Sequence, residues 1–359
     1  MEYYFLLVIL SLSSFLDYSS SPKILYKFFI FSLLVLLAGT RHETGNDWGN
    51  YVDFFNRLDT GINIIELSLI SKFEFGYSFI NIFIKFIGGG INEVFLFISF
   101  LTILIISISI KRYTIFWFLP MLLYLRYSYL QTNMMFVRQG LALALFFYSI
   151  RYIKEKKQLK YLFTITFASF FHISVLILLP LYYIYIMKLK QKTYIFLLLL
   201  AILSVPLNLI SVLANFIPFD FIRGPVLGYL SSEIWNRPSS ISVSTIERLV
   251  IVLIGIIYFN KLDKLHTYFR LFFNIYFTGV LIYFISFNSY VFAERFSIYF
   301  NITAIILLVY YIKLFNGKYQ KILYHIILIM FVASFFLKTI YNGNKENTYL
   351  PYKSYLYGD

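Results

Sequence analysis

The chain of 359 residues contains no cysteine, few charged side chains and only four histidines. The absence of cysteine excludes a disulfide framework, a thiolate metal site and a cysteine nucleophile. The histidines are scattered along the chain, and none has the spacing of a metal-binding motif such as HExxH. No Asp-x-Asp motif is present either. We therefore expect no metal site and no cofactor.

Long apolar runs dominate the sequence. Hydrophobic residues make up 60% of the chain and charged residues 13%, whereas soluble domains average about 45–50% and about 25%. This composition predicts an all-α, polytopic integral membrane protein. The net charge of +14 comes mainly from short lysine clusters between apolar runs, which mark cytoplasmic loops by the positive-inside rule. Nucleic-acid binding therefore has little support.

Placing the lysine clusters inside predicts about ten full transmembrane helices, with both termini outside, in a single domain over residues 1–359. The first apolar run lacks a basic n-region and a cleavage site, which favours a retained span over a signal peptide. The predicted outer segments are loops at about 40–73 and 216–245 and a tail at 338–359. After the first loop, the apolar stretch Phe73–Ile87 is broken by polar residues and ends in Gly88-Gly89-Gly90, which predicts an interfacial or re-entrant helix on the outer side.

Residues 161–187 form one apolar run with lysines at both ends. A single tilted span would place all later lysine clusters outside, whereas a hairpin of two short helices turning near His172 keeps them inside. Irregular backbone at membrane depth must be buried in protein or line a wet cavity. The hairpin therefore predicts a substrate chamber near His172.

Arginine is distributed differently from lysine, since most arginines fall outside or at the outer ends of predicted spans. The positive-inside rule disfavours cations there, so these residues need a reason. Guanidinium groups bind phosphate through two parallel hydrogen bonds, which predicts an outer, arginine-lined cavity for an anionic lipid-linked ligand such as a pyrophosphate. The alternative, preferred for charges inside the loops, is that acidic residues on the same side pair with them. The outer arginines are Arg41, Arg57, Arg126, Arg138, Arg223, Arg237, Arg248 and Arg295.

Arg138 and His172 are the most unusual polar residues, because both are embedded in apolar sequence at the same predicted depth. The predicted span Asn133–Ile153 places Arg138 about one turn inside the membrane boundary. Arg138 could instead be a snorkelling interfacial side chain, and His172 a packing residue among phenylalanines. Glu294-Arg295 is predicted to occupy a short outer turn before the span Ser297–Tyr311, as an interfacial ion pair or as part of the site.

Six short motifs occur in one order along the chain, and together they resemble the EpsG family of polysaccharide polymerases, which are relatives of the Wzy-type O-antigen polymerases. One position departs from the family pattern, because Phe75 stands where the family is expected to have proline. The motifs are GNDWGNY at Gly45–Tyr51, EFGY at Glu74–Tyr77, Val137-Arg138-Gln139, Phe171-His172-Ile173-Ser174 ahead of Pro180, ERFSIY at Glu294–Tyr299, and Pro351-Tyr352.

The resemblance implies a GT-C-like, metal-independent glycosyltransferase in the bacterial inner membrane, with its active site facing the periplasm. Its substrates would be undecaprenyl-pyrophosphate-linked oligosaccharides, joined into O-antigen, capsule or exopolysaccharide. Membrane lipids and a chain-length regulator protein are candidate partners. The alternatives are a transporter or flippase of lipid-linked saccharides, which should show repeat symmetry, and a membrane O-acyltransferase, which needs a stronger histidine-centred signature.

In the leading hypothesis the lipid pyrophosphate is the leaving group. Arg138 and Arg295, with Arg248 as a further candidate, neutralise its charge. His172, Asp47 or Glu74 serves as the base or orienting group for the acceptor hydroxyl, and the sequence leaves the choice among these three open. The remaining predicted substrate-binding residues are Arg41, Tyr51, Tyr77, Gln139, Arg223, Arg248, Glu294, Tyr299 and Tyr352.

Overall fold

The computed structural model is nearly all-α, as the composition predicts. It describes residues 1–19, 23–58, 73–184, 188–216, 220–232, 238–344 and 348–357. The chain forms two compact units, one of Met1–Leu179 with Asn316–Asp359 and one of Pro180–Phe315. This division into compact units does not test whether the chain is a single domain, which stays a prediction.

The first unit is built from apolar helices whose ends are set by local polar groups. Gly88, with φ +84°, follows the fourth helix, and the Glu93 carboxylate accepts the Gly90 N–H at 2.8 Å at the start of the fifth. The helices are α1 (Glu2–Ser14), α2 (Ile24–Gly39), α3 (Trp48–Arg57), α4 (Phe75–Phe86), α5 (Ile91–Tyr113), α6 (Phe118–Tyr124), a π-helix (Leu125–Met135), α7 (Val137–Lys154) and α8 (Gln158–Ser169).

The second unit contains shorter helices, two pairs of which are bent. The chain then returns to the first unit with its longest helix. In order they are α9 (Leu181–Ile184), α10 (Gln191–Leu203), α11 (Leu209–Ala214), α12 (Asp220–Ser231), α13 (Val243–Ile257), α14 (Phe259–Leu265), α15 (Phe269–Ile285), α16 (Tyr290–Asn301), α17 (Ala304–Tyr311) and, in the first unit, α18 (Lys318–Asn344).

A two-stranded antiparallel sheet joins the C-terminal tail to the start of the first predicted outer loop. Strand β1 (Arg41–His42) pairs with β2 (Lys353–Ser354), with Arg41 opposite Ser354. The Ser354 hydroxyl donates to the Thr40 hydroxyl oxygen at 3.0 Å. An ion pair between Lys353 and Glu43 lies at the surface beside the sheet. The tail therefore packs against Thr40, the residue that follows α2 at the start of the predicted outer loop.

The predicted hairpin around His172 is confirmed. Helix α8 ends at Ser169, and a 3₁₀-helix begins at Ile173. The chain reverses direction between them. The Tyr161 hydroxyl near the start of α8 donates to the Leu178 carbonyl at 2.6 Å, which shows that the two segments lie side by side. His172 itself has extended backbone angles, φ −157° and ψ 116°. The irregular backbone that the lysine distribution predicted thus lies at this residue.

By length and composition, two helices among the described residues can cross a membrane, namely Ile91–Tyr113 and Lys318–Asn342. Two bent pairs, α13 with α14 and α16 with the helical segment Ala304–Leu314, raise the number to four if each pair is one span. Five other apolar helices are shorter. The protein is therefore a helical membrane protein, whereas the count of ten spans stays a prediction.

Two predicted boundaries are wrong. Glu294 and Arg295 lie within α16 instead of an outer turn, because Tyr290–Asn301 contains no glycine or proline and the turn forms earlier, where the Ser289 N–H donates to the Ser286 carbonyl at 2.9 Å. The predicted span from Asn133 begins instead as a π-helix, and α7 starts at Val137. Arg138 therefore lies in the first turn of α7.

Parts of the predicted outer loops, residues 59–72, 217–219 and 233–237, lie outside the described residues, and so does Arg237. The predicted tail begins later than expected, because α18 continues to Asn344.

Candidate functional site

Glu74 lies between Arg138 and His172 in the first unit. Its Oε1 atom is 2.9 Å from Nδ1 of His172, and its Oε2 atom accepts a hydrogen bond from Nη1 of Arg138. We call these three residues the outer cluster, because the lysine distribution predicts that they lie on the outer side of the membrane. The structure thus joins, through one carboxylate, the two residues that the sequence singles out, although Glu74 is 98 positions from His172.

Local backbone contacts hold the outer cluster together. Glu74 has extended backbone angles and immediately precedes α4, and the backbone N–H of Ile173 donates to its Oε1 atom at 3.2 Å. The Gly76 N–H donates to the Phe170 carbonyl at 2.7 Å. A Cβ atom at residue 76 would lie only 2.8 Å from that carbonyl oxygen, so glycine permits the close approach of α4 to the hairpin turn.

The outer cluster is partly buried, with side-chain exposures of 18% for Glu74, 21% for Arg138 and 27% for His172. Burial raises the pKa of the Glu74 carboxyl, but the hydrogen bond from His172 and the charge of Arg138 outweigh it, so the net pKa lies below its usual range. Glu74 is therefore a carboxylate at neutral pH. It acts as an acceptor for both neighbours.

Aromatic rings cover the Arg138 guanidinium. Its Cζ atom lies 4.6 Å from the ring centre of Phe73 and 6.0 Å from that of Tyr51. Burial raises the pKa of Tyr51 to about 12, so its hydroxyl is neutral. The Nε atom of Arg138 is buried and has no hydrogen-bond partner within the described part of the chain. Arg138 therefore keeps an unused donor beside its ion pair.

His172 is arranged to accept a proton. A carboxylate facing Nδ1 favours the tautomer with hydrogen on Nδ1 and a lone pair on Nε2. Nε2 makes no hydrogen bond to any residue that the structure describes. An imidazole held in this way can take a proton from a hydroxyl group, and the adjacent guanidinium can stabilise developing negative charge.

A second charged group occupies the second unit. Nη2 of Arg248 lies 3.0 Å from Oε2 of Glu294, and its Cζ atom lies 4.0 Å from the ring centre of Tyr283. Arg248 is buried, at 5% exposure. Arg295 is exposed instead, and its Nη1 atom donates to the Tyr229 hydroxyl oxygen at 3.5 Å. We call Arg248 and Glu294 the inner-ring pair, after the Tyr283 ring that covers it.

Arg41 is fully buried beneath the tail strand. Its Nη1 atom donates to the Ala38 carbonyl at 2.6 Å, and its Cζ atom lies 4.1 Å from the ring centre of Phe95. Burial lowers the pKa of Arg41 to about 10, which still leaves it charged at neutral pH. Its Nε and Nη2 atoms have no hydrogen-bond partner among the described residues.

The other predicted site residues are distributed along several elements. Tyr51, Tyr77, Gln139 and Tyr299 are buried side chains of α3, α4, α7 and α16. Asp47 is the residue that precedes α3, and Arg223 lies in α12. The Tyr352 hydroxyl donates to the Leu37 carbonyl at 2.9 Å. Their predicted functional roles stay predictions.

Sequence reasoning missed Phe73 and Gly76 as residues that support the outer cluster. Phe73 packs on Arg138, and Gly76 allows α4 to approach the hairpin. The glycine directly after Glu74 in EFGY was a usable signal, since glycine often marks a close backbone approach. Within the described ranges, no three His, Asp or Glu side chains are grouped as metal ligands.

Comparison with models of protein families identifies a family. The sequence profile of the EpsG family matches residues 23–354, nearly the whole chain. No curated protein and no solved structure matches it.

Proposed function

The chain belongs to the EpsG family, and we propose that it is a membrane glycosyltransferase that polymerises lipid-linked oligosaccharides. The donor is a growing chain on undecaprenyl pyrophosphate, and the acceptor is the non-reducing end of a second lipid-linked repeat unit. The product is O-antigen, capsule or exopolysaccharide. Family membership supports the polymerase class, and the outer cluster supports the chemistry.

The observation that carries the proposal is the shared Glu74 carboxylate, with His172 on one oxygen and Arg138 on the other. An acceptor hydroxyl gives its proton to Nε2 of His172 while its oxygen attacks the anomeric carbon of the donor. The bond from that carbon to the pyrophosphate oxygen breaks, and the electron pair leaves with the lipid carrier. Arg138 neutralises the charge that develops on the leaving pyrophosphate.

This assignment selects His172 as the base from the three candidates that the sequence left open. Glu74 has both oxygens engaged, and its lowered pKa makes it a weak base. It serves instead to orient the imidazole and to hold Arg138 in place. Asp47 is kept as a candidate for binding the acceptor sugar.

Other arginines are candidate contacts for phosphate or sugar groups. Arg41 has two unused donors, and Arg295 presents an exposed guanidinium on α16. Arg248 is already paired with Glu294, so its proposed role is to recognise substrate through that pair.

The proposed location is the bacterial inner membrane, with a ten-span, GT-C-like fold and the site facing the periplasm. The lysine clusters of the sequence support this orientation, because they belong on the cytoplasmic side. A chain-length regulator protein is a further proposed partner.

A flippase of lipid-linked saccharides is the second candidate, favoured by one observation. The chain is broken at His172 and bent by 78° between α13 and α14, and transporters often place broken helices at their substrate sites.

Reconstitution of the purified protein separates the two functions. The protein in vesicles receives a synthetic undecaprenyl-pyrophosphate-linked repeat unit, with EDTA and without ATP. The polymerase proposal expects a ladder of longer saccharides, lost in Arg138→Ala while the single repeat unit survives. Movement of the repeat unit across the bilayer without chain growth would contradict it and support the flippase.

A further inference from the structure

An exposed row of phenylalanine rings begins directly beside the outer cluster. Phe75, Phe79 and Phe83 lie one turn apart on α4, and successive ring centres are 6.4 Å apart with nearly parallel planes. Their exposures are 38%, 48% and 51%. Eight residues of helix span about 12 Å. We call these three residues the phenylalanine row. One of its ends is covalently next to Glu74.

The other end of the phenylalanine row enters a groove in the first unit. Phe83 lines a groove of about 1080 Å³ between α2, α4 and α5, compared with about 300–1,000 Å³ for typical small-molecule pockets. The α5 helix is one of the two candidate membrane spans, so the groove follows a membrane helix. Apart from Ser32 and Glu93, the groove is lined by apolar side chains and glycines, among them Val35 of α2, Ile84 of α4 and Leu96 of α5.

The phenylalanine row and the groove share Phe83. The row begins next to Glu74, whose carboxylate accepts a hydrogen bond from Arg138, a phosphate-binding type of residue. A lipid-linked saccharide has the matching order of groups, because its sugar and phosphates are followed by a long hydrocarbon chain. A second groove, of about 690 Å³, lies on the other side of α2 and includes Leu33 and Leu37. Its lining residues include none of the phenylalanine row.

We infer that the phenylalanine row and the groove bind the isoprenoid chain of the lipid-linked substrate whose phosphates contact Arg138. The inference rests on the proposed function and adds a lipid-binding site to it. The rings offer flat apolar faces for the chain, and the groove shields the chain from bulk lipid. Tight seating of the chain would fix the position of the pyrophosphate relative to the outer cluster.

Neighbouring positions on α2 provide a matched pair of variants. Ser32 lines the groove that joins the phenylalanine row, and Leu33 lines the second groove. Ser32→Trp should fill the first groove and raise the KM for the full-length lipid-linked substrate about tenfold, with kcat little changed, since it removes binding shared by ground and transition states. Leu33→Trp introduces the same side chain at the same depth and should leave KM unchanged.

A substrate analogue with a truncated isoprenoid chain completes the kinetic test. Wild type and Ser32→Trp should use it equally, because it does not reach the groove. An equal loss with both substrates, or a larger effect of Leu33→Trp, would overturn the inference.

Photocrosslinking tests the site without any variant and without polymerisation. The full-length protein in nanodiscs is labelled with undecaprenyl phosphate that carries a diazirine on its chain, and in a parallel sample with diazirine-labelled phosphatidylglycerol. The inference expects the undecaprenyl label on Ser32–Leu36 and Phe79–Ile87 at sites that the phospholipid labels weakly. Identical labelling by both probes means that ordinary bilayer lipid fills the groove, which contradicts the inference. If the wild-type protein makes no polymer, the proposed function fails, while this labelling still reports on the groove.

Discussion

The outer cluster and the inner-ring pair both contain a glutamate bound to an arginine, but they differ in what the second carboxylate oxygen does. In the outer cluster it binds His172, and the carboxylate joins a cation to a proton acceptor. In the inner-ring pair, the buried Arg248 lies on the Tyr283 ring, and no histidine contact to Glu294 occurs within the described residues. An ion pair alone stabilises structure or recognises charge, whereas an ion pair with an oriented imidazole can also move a proton.

The largest expected effect comes from removing the proposed general base, which the outer cluster contains and the inner-ring pair lacks. His172→Gln should lower the polymerisation rate about 10²–10⁴-fold, because the general base is lost. The measurement is the initial rate of chain growth with purified protein. His42→Gln, which removes an imidazole packed on Trp48, is the control and should keep the wild-type rate. Equal activity of the two variants would remove His172 from the mechanism.

The next effect compares the arginines directly. Arg138→Lys should lower kcat about 100-fold, since lysine keeps the charge but loses the planar set of donors aimed at the leaving group. Arg248→Lys should leave kcat little changed, raise KM and lower the melting temperature, because the pair with Glu294 is weakened and the guanidinium packed on the Tyr283 ring is lost. The measurements are the steady-state kinetics and the melting temperatures of both variants. A larger loss of kcat in Arg248→Lys than in Arg138→Lys would contradict the proposed difference between the two arginines.

A smaller effect tests the backbone support of the outer cluster. Gly76→Ala should reduce activity about tenfold, because its Cβ would push α4 from the Phe170 carbonyl and lengthen the contact between Glu74 and His172. Gly49→Ala, at a helical position with open space around the new Cβ, should behave like wild type. Activity measured at matched folded fractions separates misplacement from unfolding. Full activity of Gly76→Ala would show that this close approach is unnecessary.

The smallest effect is the pH dependence of stability. Because the pKa of Glu74 is lower in the folded protein, its pairing stabilises the fold fully above the unfolded-state value of about 4.3 and is lost as the pH falls through the folded value. Wild type should therefore be more stable than Glu74→Gln at neutral pH, and the difference in melting temperature should narrow below about pH 4. A difference that is constant with pH would show that the carboxylate charge contributes nothing.

The sequence predicted the features that depend on charge and polarity along the chain. The hairpin at His172 followed from lysine clusters, and Arg138 stood out because a guanidinium in apolar sequence is rare. The pairing of Glu74 with His172 joins residues 98 positions apart, and no local pattern specifies such a contact.

Two errors have clear physical causes. Adjacent residues on a helix point about 100° apart, so Glu294 pairs with Arg248 of α13 instead of with its neighbour Arg295. The π-helix and the start of α7 approach each other closely, since a Cβ at Gly140 would lie 2.1 Å from the Thr132 carbonyl oxygen. The hydrophobic pattern of the sequence does not predict this close backbone contact.

The central claim is that Glu74 acts through His172 as one catalytic unit. Its most direct test is the polymerisation rate of Glu74→Gln, His172→Gln and the double variant, measured with the same lipid-linked repeat unit. The double variant should be about as slow as His172→Gln alone, because residues that act as a unit are strongly non-additive. Fully multiplicative losses in the double variant would contradict it, since the two side chains would then act independently.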